Sequence, residues 1–166
     1  MTTVVFSHGQ ESGPWGTKIR AMAEMVEGLG CAVESVDYQG VADPSDRVKM
    51  LLAECEQIHD SIILVGSSMG GHVATAGAES VSAEGLFVLA PAYFMEGYEG
   101  LTPDPPKIPI CIVHGWHDDI VPVENSIRFA ASCGATLHIV DGDHRLTHNI
   151  DEINQYLEIF IEDVRN

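Results

Sequence analysis

The feature that most constrains the fold is a regular alternation of short apolar segments with amphipathic ones. The segments of strand length are residues 4–7, 32–37, 61–66, 85–90, 108–114 and 136–140. The stretches between most of them carry apolar residues at helical spacing, as in residues 17–29. This alternation predicts an α/β fold, a three-layer α/β/α sandwich around a mostly parallel sheet of about six strands.

Local signals place several of these elements. The continuous apolar run at residues 61–66 is typical of a central parallel strand that is covered on both faces. Asp43 followed by Pro44 predicts the start of a helix, because aspartate caps helices and proline fits the first helical position. The chain of 166 residues shows no internal repeat or linker, so we expect one domain over residues 1–166.

The strongest functional signal is the sequence Gly66-Ser67-Ser68-Met69-Gly70. It follows the predicted central strand and precedes a helical stretch, residues 69–79. In that context a sharp strand-to-helix turn exposes the central serine, and side chains at the two glycine positions would collide with the turn. The pattern therefore predicts a nucleophile at Ser68; the alternative is a merely structural turn.

A nucleophilic serine needs a base, and the base needs an orienting acid. In parallel α/β sheets, reactive groups lie outside the carboxyl ends of the strands, so the loops after the later strands are the place to look. The loop after residues 108–114 contains Asp118, and the loop after the last strand contains His144. Asp119 is the alternative acid, whereas Asp143, adjacent to His144, is interpreted as a loop carboxylate.

Four motifs in this order resemble the α/β-hydrolase family. They are Ser7-His8-Gly9, the turn at Ser68, the HGxxDxxVP pattern at 114–122, and Gly142-Asp143-His144. The chain is similar to small carboxylesterases and dienelactone-hydrolase-like proteins, which have no lid. It departs from the larger members because residues 4–7 match their third strand, so their first two strands are missing, and because no cap domain is inserted.

The resemblance implies a serine hydrolase, a carboxylesterase acting on a small acyl ester without a cofactor. Ser68 attacks the carbonyl carbon, His144 moves the proton, and Asp118 orients the imidazole. The backbone N–H groups of Gln10 and Met69 form the oxyanion hole. Alternatives on the same residues are thioester, amide or carbon–carbon bond hydrolysis and acyl transfer, and outside catalysis a binding or scaffold protein.

Aromatic and apolar side chains near the predicted site are candidates for the substrate pocket. They are Trp15, Tyr93, Phe94, Met95 and Tyr98, most of them in the irregular stretch at 91–109. They either line an acyl pocket or cover the core, and we favour the pocket because apolar groups dominate small-molecule clefts. The short connection between residues 90 and 108 predicts a shallow cleft that suits short acyl chains.

Charge and composition exclude several classes of partner. The net charge of −17 disfavours nucleic-acid binding. No apolar run is long enough to span a bilayer and no signal peptide is recognisable, so we expect a cytoplasmic protein without membrane insertion. The expected partner is a small-molecule acyl substrate, and homo-oligomer formation is left open.

Histidines and cysteines give no strong metal signal. The spacings His114–His117 and His144–His148 suit ligands, but no Cys/His cluster accompanies them, so no metal site is predicted. The four cysteines, which are far apart, are interpreted as reduced core residues. They are Cys31, Cys55, Cys111 and Cys133.

Overall fold

Six strands form one sheet at the centre of the molecule, in a computed structural model that describes residues 1–166. The strands are β1 (Thr2–Ser7), β2 (Ala32–Val36), β3 (Ser61–Ser67), β4 (Gly85–Leu89), β5 (Ile110–Gly115) and β6 (Thr136–Val140). Their order is β2-β1-β3-β4-β5-β6, and every neighbouring pair is parallel. The predicted α/β fold is confirmed, and the sheet is parallel throughout.

Five α-helices cover both faces of this sheet. They are α1 (Thr17–Gly28), α2 (Pro44–Glu56), α3 (Met69–Gly77), α4 (Val123–Cys133) and α5 (Ile150–Arg165). Helices α1 and α5 pack on one face over a core cluster of 19 buried residues. Helices α2, α3 and α4 cover the other face over a cluster of 18. The result is the predicted three-layer sandwich.

Local sequence signals fix the helix boundaries and orientations. Helix α2 begins as predicted: the Asp43 side chain accepts a hydrogen bond of 2.7 Å from the Ser45 N–H, and Pro44 is its first residue. Helix α5 buries Ile153, Leu157 and Ile161 completely. These three residues recur at intervals of four, the spacing that places side chains on one face of a helix.

The strand order determines where a site can form. From β1 the chain goes to one side of the sheet to make β2, and then crosses to the other side of β1 to make β3. The loops that follow β1 and β3 therefore leave in different directions, and a crevice opens between them. Ser7 pairs with Gly66 in the register of these two strands, so the β1 loop lies beside the turn that holds Ser68.

The connection between β4 and β5 carries no lid domain. Its only helical element is one 3-10 turn, Glu99–Leu101. None of the five α-helices has the length and apolar composition that a membrane crossing requires. All four cysteines are free thiols, and Cys31, Cys55 and Cys111 are buried as expected. The expectation of a core position is wrong for Cys133, which is exposed at the last position of α4.

Candidate active site

Ser68 occupies a strained turn between β3 and α3. Its φ of 54° and ψ of −118° lie in a region that residues other than glycine rarely adopt. Two hydrogen bonds hold the turn: the Ser68 N–H donates to the Leu89 carbonyl at 2.9 Å, and the Ala92 N–H donates to the Ser68 carbonyl at 3.0 Å. The sharp strand-to-helix turn expected from the sequence is present, and its serine is strained.

The two glycines of this turn are required by close backbone packing. A Cβ atom on Gly66 would overlap the backbone of Gly70, and a Cβ atom on Gly70 would overlap the carbonyl group of Ser7. Both overlaps involve main-chain atoms, which cannot move aside as a flexible side chain can. The glycines therefore allow α3 to start directly against β3 and the end of β1.

Three residues from three loops meet at the carboxyl end of the sheet. The Ser68 Oγ atom lies 3.1 Å from His144 Nε2, and His144 Nδ1 lies 2.8 Å from Asp118 Oδ2. Because an ionised carboxylate only accepts hydrogen bonds, His144 Nδ1 carries the proton and donates it. The Nε2 lone pair is then free to accept the hydrogen bond of the Ser68 hydroxyl.

The carboxylate of Asp118 is completely buried but well supplied with donors. Its Oδ1 atom accepts hydrogen bonds of 2.8 Å from the N–H groups of Ile120 and Val121. Burial alone would raise the pKa of Asp118, but the hydrogen bonds from His114, His144 and these two N–H groups together hold it well below its ordinary value. Asp118 therefore stays ionised. Asp119, the alternative acid, lines the cavity beside Ser68 instead.

A second histidine, His114, contacts the same carboxylate. Its Nε2 atom lies 3.0 Å from Asp118 Oδ2 and 2.9 Å from the Val121 carbonyl, so Nε2 carries a proton. Its Nδ1 atom then accepts the hydrogen bond of the buried Ser126 hydroxyl, at 2.6 Å. The sequence analysis placed His114 in the HGxxDxxVP pattern without a role at the site; its spacing of four from Asp118 was the available signal.

The loop after β1 passes directly beside Ser68. A Cβ atom on Gly9 would lie 3.7 Å from the Ser68 Cβ atom. The N–H of Gln10, the next residue, donates to no group of the protein. Met69 is the first residue of α3, and the N–H groups of a first helical turn have no acceptor within the helix. Both predicted oxyanion-hole residues thus offer N–H groups near the serine.

A cavity of about 530 Å³ opens beside Ser68 and His144, and nearly all of its lining residues are glycine or residues with polar side chains. Ile120 is its one hydrophobic residue. The others are Gly9, Gln10, Glu11, Ser12, Lys18, Ser67, Ser68, Asp119, Asp143, His144 and Arg145. Burial lowers the pKa of Lys18 to about 8, against the opposing attraction of Asp143. Lys18, Glu11 and Arg145 were not identified from the sequence, because nothing local to them signals a cavity.

The predicted aromatic pocket is not this cavity, and the prediction is wrong for Tyr93. Tyr93 is fully buried, stacks on Phe129 at 4.0 Å between ring centroids, and is hydrogen-bonded to Thr75. Phe94 lies under the Arg128 guanidinium. Trp15, Met95 and Tyr98 do not line the cavity either. Stacking against α4 buries the aromatic ring of Tyr93, so the start of the loop after β4 packs on the core, whereas Tyr98 is exposed.

The described residues contain no group of three or more His, Cys, Asp or Glu side chains placed to hold a metal ion. Within the pair His114 and His117, each histidine contacts a different carboxylate. His117 is exposed and lies 2.9 Å from Asp141, whereas His114 and His144 both point to Asp118. Hydrogen bonds join Ser68, His144 and Asp118 into one series.

Comparison with known proteins gives consistent matches. A family model described as the alpha/beta hydrolase family matches residues 4–136. The mitochondrial palmitoyl-protein thioesterase ABHD10 of Bos taurus is 25% identical over 89% of this chain and 68% of its own length. A Xanthomonas campestris structure of the alpha/beta superfamily is 28% identical, with a TM-score of 0.89 and 98% of both chains covered. A serine hydrolase without a lid, also from Xanthomonas campestris, shares the fold at a TM-score of 0.81 and 18% identity over 98% of this chain and 81% of its own.

Proposed function

The chain belongs to the alpha/beta hydrolase family, and we propose that it is a serine hydrolase that cleaves small, polar acyl esters through a covalent intermediate on Ser68. One observation carries this proposal: the hydrogen-bonded series from Ser68 through His144 to the buried Asp118. A strained serine, a base with a free lone pair and an ionised carboxylate are the parts that nucleophilic acyl transfer requires.

In the first half of the proposed reaction, Ser68 Oγ attacks the ester carbonyl carbon while His144 Nε2 takes the hydroxyl proton. The imidazolium that forms is stabilised by Asp118, which needs no rearrangement because the hydrogen bond already exists. The carbonyl oxygen becomes an oxyanion, which the N–H groups of Gln10 and Met69 stabilise. When the tetrahedral species collapses, His144 gives its proton to the departing alcohol and an ester to Ser68 remains.

In the second half, water replaces the alcohol. His144 takes a proton from the water as it attacks the acyl carbon, and the same N–H groups hold the second oxyanion. Collapse breaks the bond to Ser68, and His144 returns the proton to Ser68 Oγ. The side chain of His144 is 19% exposed, so the base is open enough for water to reach it.

The scarcity of hydrophobic residues around the cavity favours small and polar substrates. An apolar acyl chain gains from burial against apolar walls, at about 0.8 kcal/mol for each methylene. Ile120 is the only hydrophobic side chain that the cavity offers. The residues that line the cavity therefore favour a short or polar acyl group, whereas a long apolar chain would lie in solvent.

Thioester hydrolysis is the second candidate, because the bovine relative is a thioesterase. The same residues carry out both reactions, and the leaving group differs. A thiolate departs without full protonation, so thioester cleavage depends less on His144 as an acid than cleavage of an alkyl ester does.

Matched substrates decide between these candidates. We would measure kcat/KM for an ethyl ester and an ethyl thioester of the same short acyl group, with wild type and Ser68→Ala. Ser68-dependent turnover of the ester supports the proposal. A Ser68-dependent preference for the thioester, after correction for their spontaneous hydrolysis rates, favours the second candidate. Lack of turnover of both substrates, together with lack of fluorophosphonate labelling, favours a binding or scaffold protein.

A further inference from the structure

Arg47, in the first turn of α2, is a buried cation with no carboxylate partner. Its side chain is 1% exposed. No carboxylate oxygen lies within 4.0 Å of it, although the chain has 25 acidic residues. Burial of an unpaired charge is unfavourable, and it lowers the pKa of Arg47. Packing alone does not account for a charge in this position, since an apolar side chain would fill the same space without that cost.

The guanidinium is held by main-chain carbonyl groups and one aromatic ring. Its Nε–H donates to the Val41 carbonyl at 2.7 Å, and Nη1 donates to the carbonyls of His8 and Gly9, each at 3.3 Å. The ring of Tyr38 lies 5.1 Å from the Arg47 Cζ atom. Two of the three carbonyls belong to the loop that follows β1, immediately before Gln10.

The Gly9 carbonyl and the Gln10 N–H belong to the same peptide unit. This carbonyl accepts a second hydrogen bond, of 2.7 Å, from His8 Nδ1. His8 Nε2 accepts from the Tyr38 N–H at 2.8 Å, so the proton of the ring is on Nδ1. Every peptide bond in the chain is trans, so the Gln10 N–H points away from the carbonyl that Arg47 and His8 hold.

We propose that Arg47 is a positioning residue of the oxyanion hole. It holds the Gly9–Gln10 peptide with its N–H toward the reacting carbonyl group, and its buried charge stabilises the oxyanion that forms there. This inference rests on the proposed function. Donors on a peptide carbonyl polarise the N–H at its other end, and a fixed charge in a dry region acts more strongly than one in water.

A series of substitutions at Arg47 tests the positioning of the Gly9–Gln10 peptide and the stabilisation of the oxyanion by the buried charge. Arg47→Lys keeps the charge, Arg47→Gln keeps donor groups without the charge, and Arg47→Met removes both. Arg128→Met is the matched control, because Arg128 also stacks on an aromatic ring, at 3.9 Å from the centroid of Phe94, but is exposed on α4. The readouts are kcat and KM for a short neutral ester, and inhibition by a trifluoromethyl ketone, which binds as an oxyanion, and by its methyl ketone counterpart, which does not.

The proposal predicts that Arg47→Met and Arg47→Gln lower kcat by about 10- to 100-fold, somewhat less than the loss of a direct oxyanion donor. Inhibition by the trifluoromethyl ketone should weaken by the same factor. KM and inhibition by the methyl ketone should stay within about twofold of their wild-type values. Arg47→Lys should recover part of the lost kcat and part of the lost inhibition by the trifluoromethyl ketone. Arg128→Met should match wild type in both measurements. If Arg47→Met does not fold, the Lys and Gln variants carry the comparison.

Two results would overturn the role of Arg47. One is wild-type kcat in the folded Gln variant. The other is a lower kcat together with a higher KM and weaker binding of the methyl ketone, which would indicate a merely structural residue. Failure of the proposed function looks different: wild-type protein would then turn over no ester and bind the two ketones equally, and the inference on Arg47 would fall with it.

Discussion

His144 Nδ1 donates a hydrogen bond of 2.8 Å to Asp118 Oδ2, and His114 Nε2 lies 3.0 Å from the same oxygen atom. One histidine comes from the end of β5 and the other from the loop after β6, so the carboxylate joins two elements that are distant in sequence. Because His114 is itself held by Ser126 and Val121, the position of this oxygen is fixed from the buried side.

Loss of the contact between His114 and Asp118 should impair orientation of the acid. We predict that His114→Phe lowers kcat by about tenfold, the contribution of one charge-assisted hydrogen bond, with KM nearly unchanged. His114→Gln, which keeps an N–H donor, should recover part of the loss. Steady-state kinetics and melting temperatures measure both. If the Gln variant is no better than Phe at equal thermal stability, the hydrogen bond is not what matters.

Substitution of Asp118 and substitution of the adjacent Asp119 should lower kcat to very different extents. We predict that Asp118→Asn lowers kcat by about 10⁴-fold, because an amide favours the wrong tautomer of His144. Asp119→Asn should cost far less, since Asp119 lines the cavity without contacting the imidazole. The pair is compared by kcat on one short ester. Similar losses in the two variants would mean that the acid is wrongly assigned.

A longer acyl chain on the substrate should raise kcat/KM little. Because the cavity offers one hydrophobic residue, Ile120, we predict that kcat/KM for p-nitrophenyl esters peaks at short chains and then falls. The series from acetate to dodecanoate is measured below micelle-forming concentrations. A steady rise through the series would indicate an apolar channel that opens when substrate binds.

Lys18 should make the substrate preference depend on pH. The pKa of Lys18 is about 8, so its ammonium group is charged below pH 8 and neutral above it. Between pH 7 and 9, kcat/KM for p-nitrophenyl hydrogen adipate should fall about fivefold relative to its methyl ester, the factor for roughly 1 kcal/mol per charge pair in water. Lys18→Met should show a constant ratio. A ratio that changes equally in the variant would exclude Lys18 as the cause.

Much of this structure was predictable because its signals are local. The strands are short apolar runs, and the turn at Ser68 is encoded by two glycines that flank it at a distance of two residues. The loops that carry Asp118 and His144 follow from the rule that parallel strands present their carboxyl ends at one edge. These signals act within a few residues, so the sequence displays them directly.

The features that were missed depend on contacts between distant segments. Tyr93 packs on Phe129, which is 36 positions later, and no local pattern distinguishes that contact from a pocket wall. Arg47 lies four residues before the fully buried Leu51, on the same face of α2, so its charge interrupts a buried stripe. That interruption was the available sign that a polar group is needed beneath the loop after β1.

The central claim, that Ser68 is the nucleophile, is tested most directly by covalent labelling. Wild type, Ser68→Ala and Ser67→Ala are treated with a fluorophosphonate, and intact mass and peptide mapping locate the adduct. We predict a single adduct on Ser68 in wild type and in Ser67→Ala, and none in a folded Ser68→Ala, whose kcat should fall by roughly 10⁴- to 10⁶-fold. An adduct on another residue, or undiminished ester turnover by Ser68→Ala, would contradict the claim.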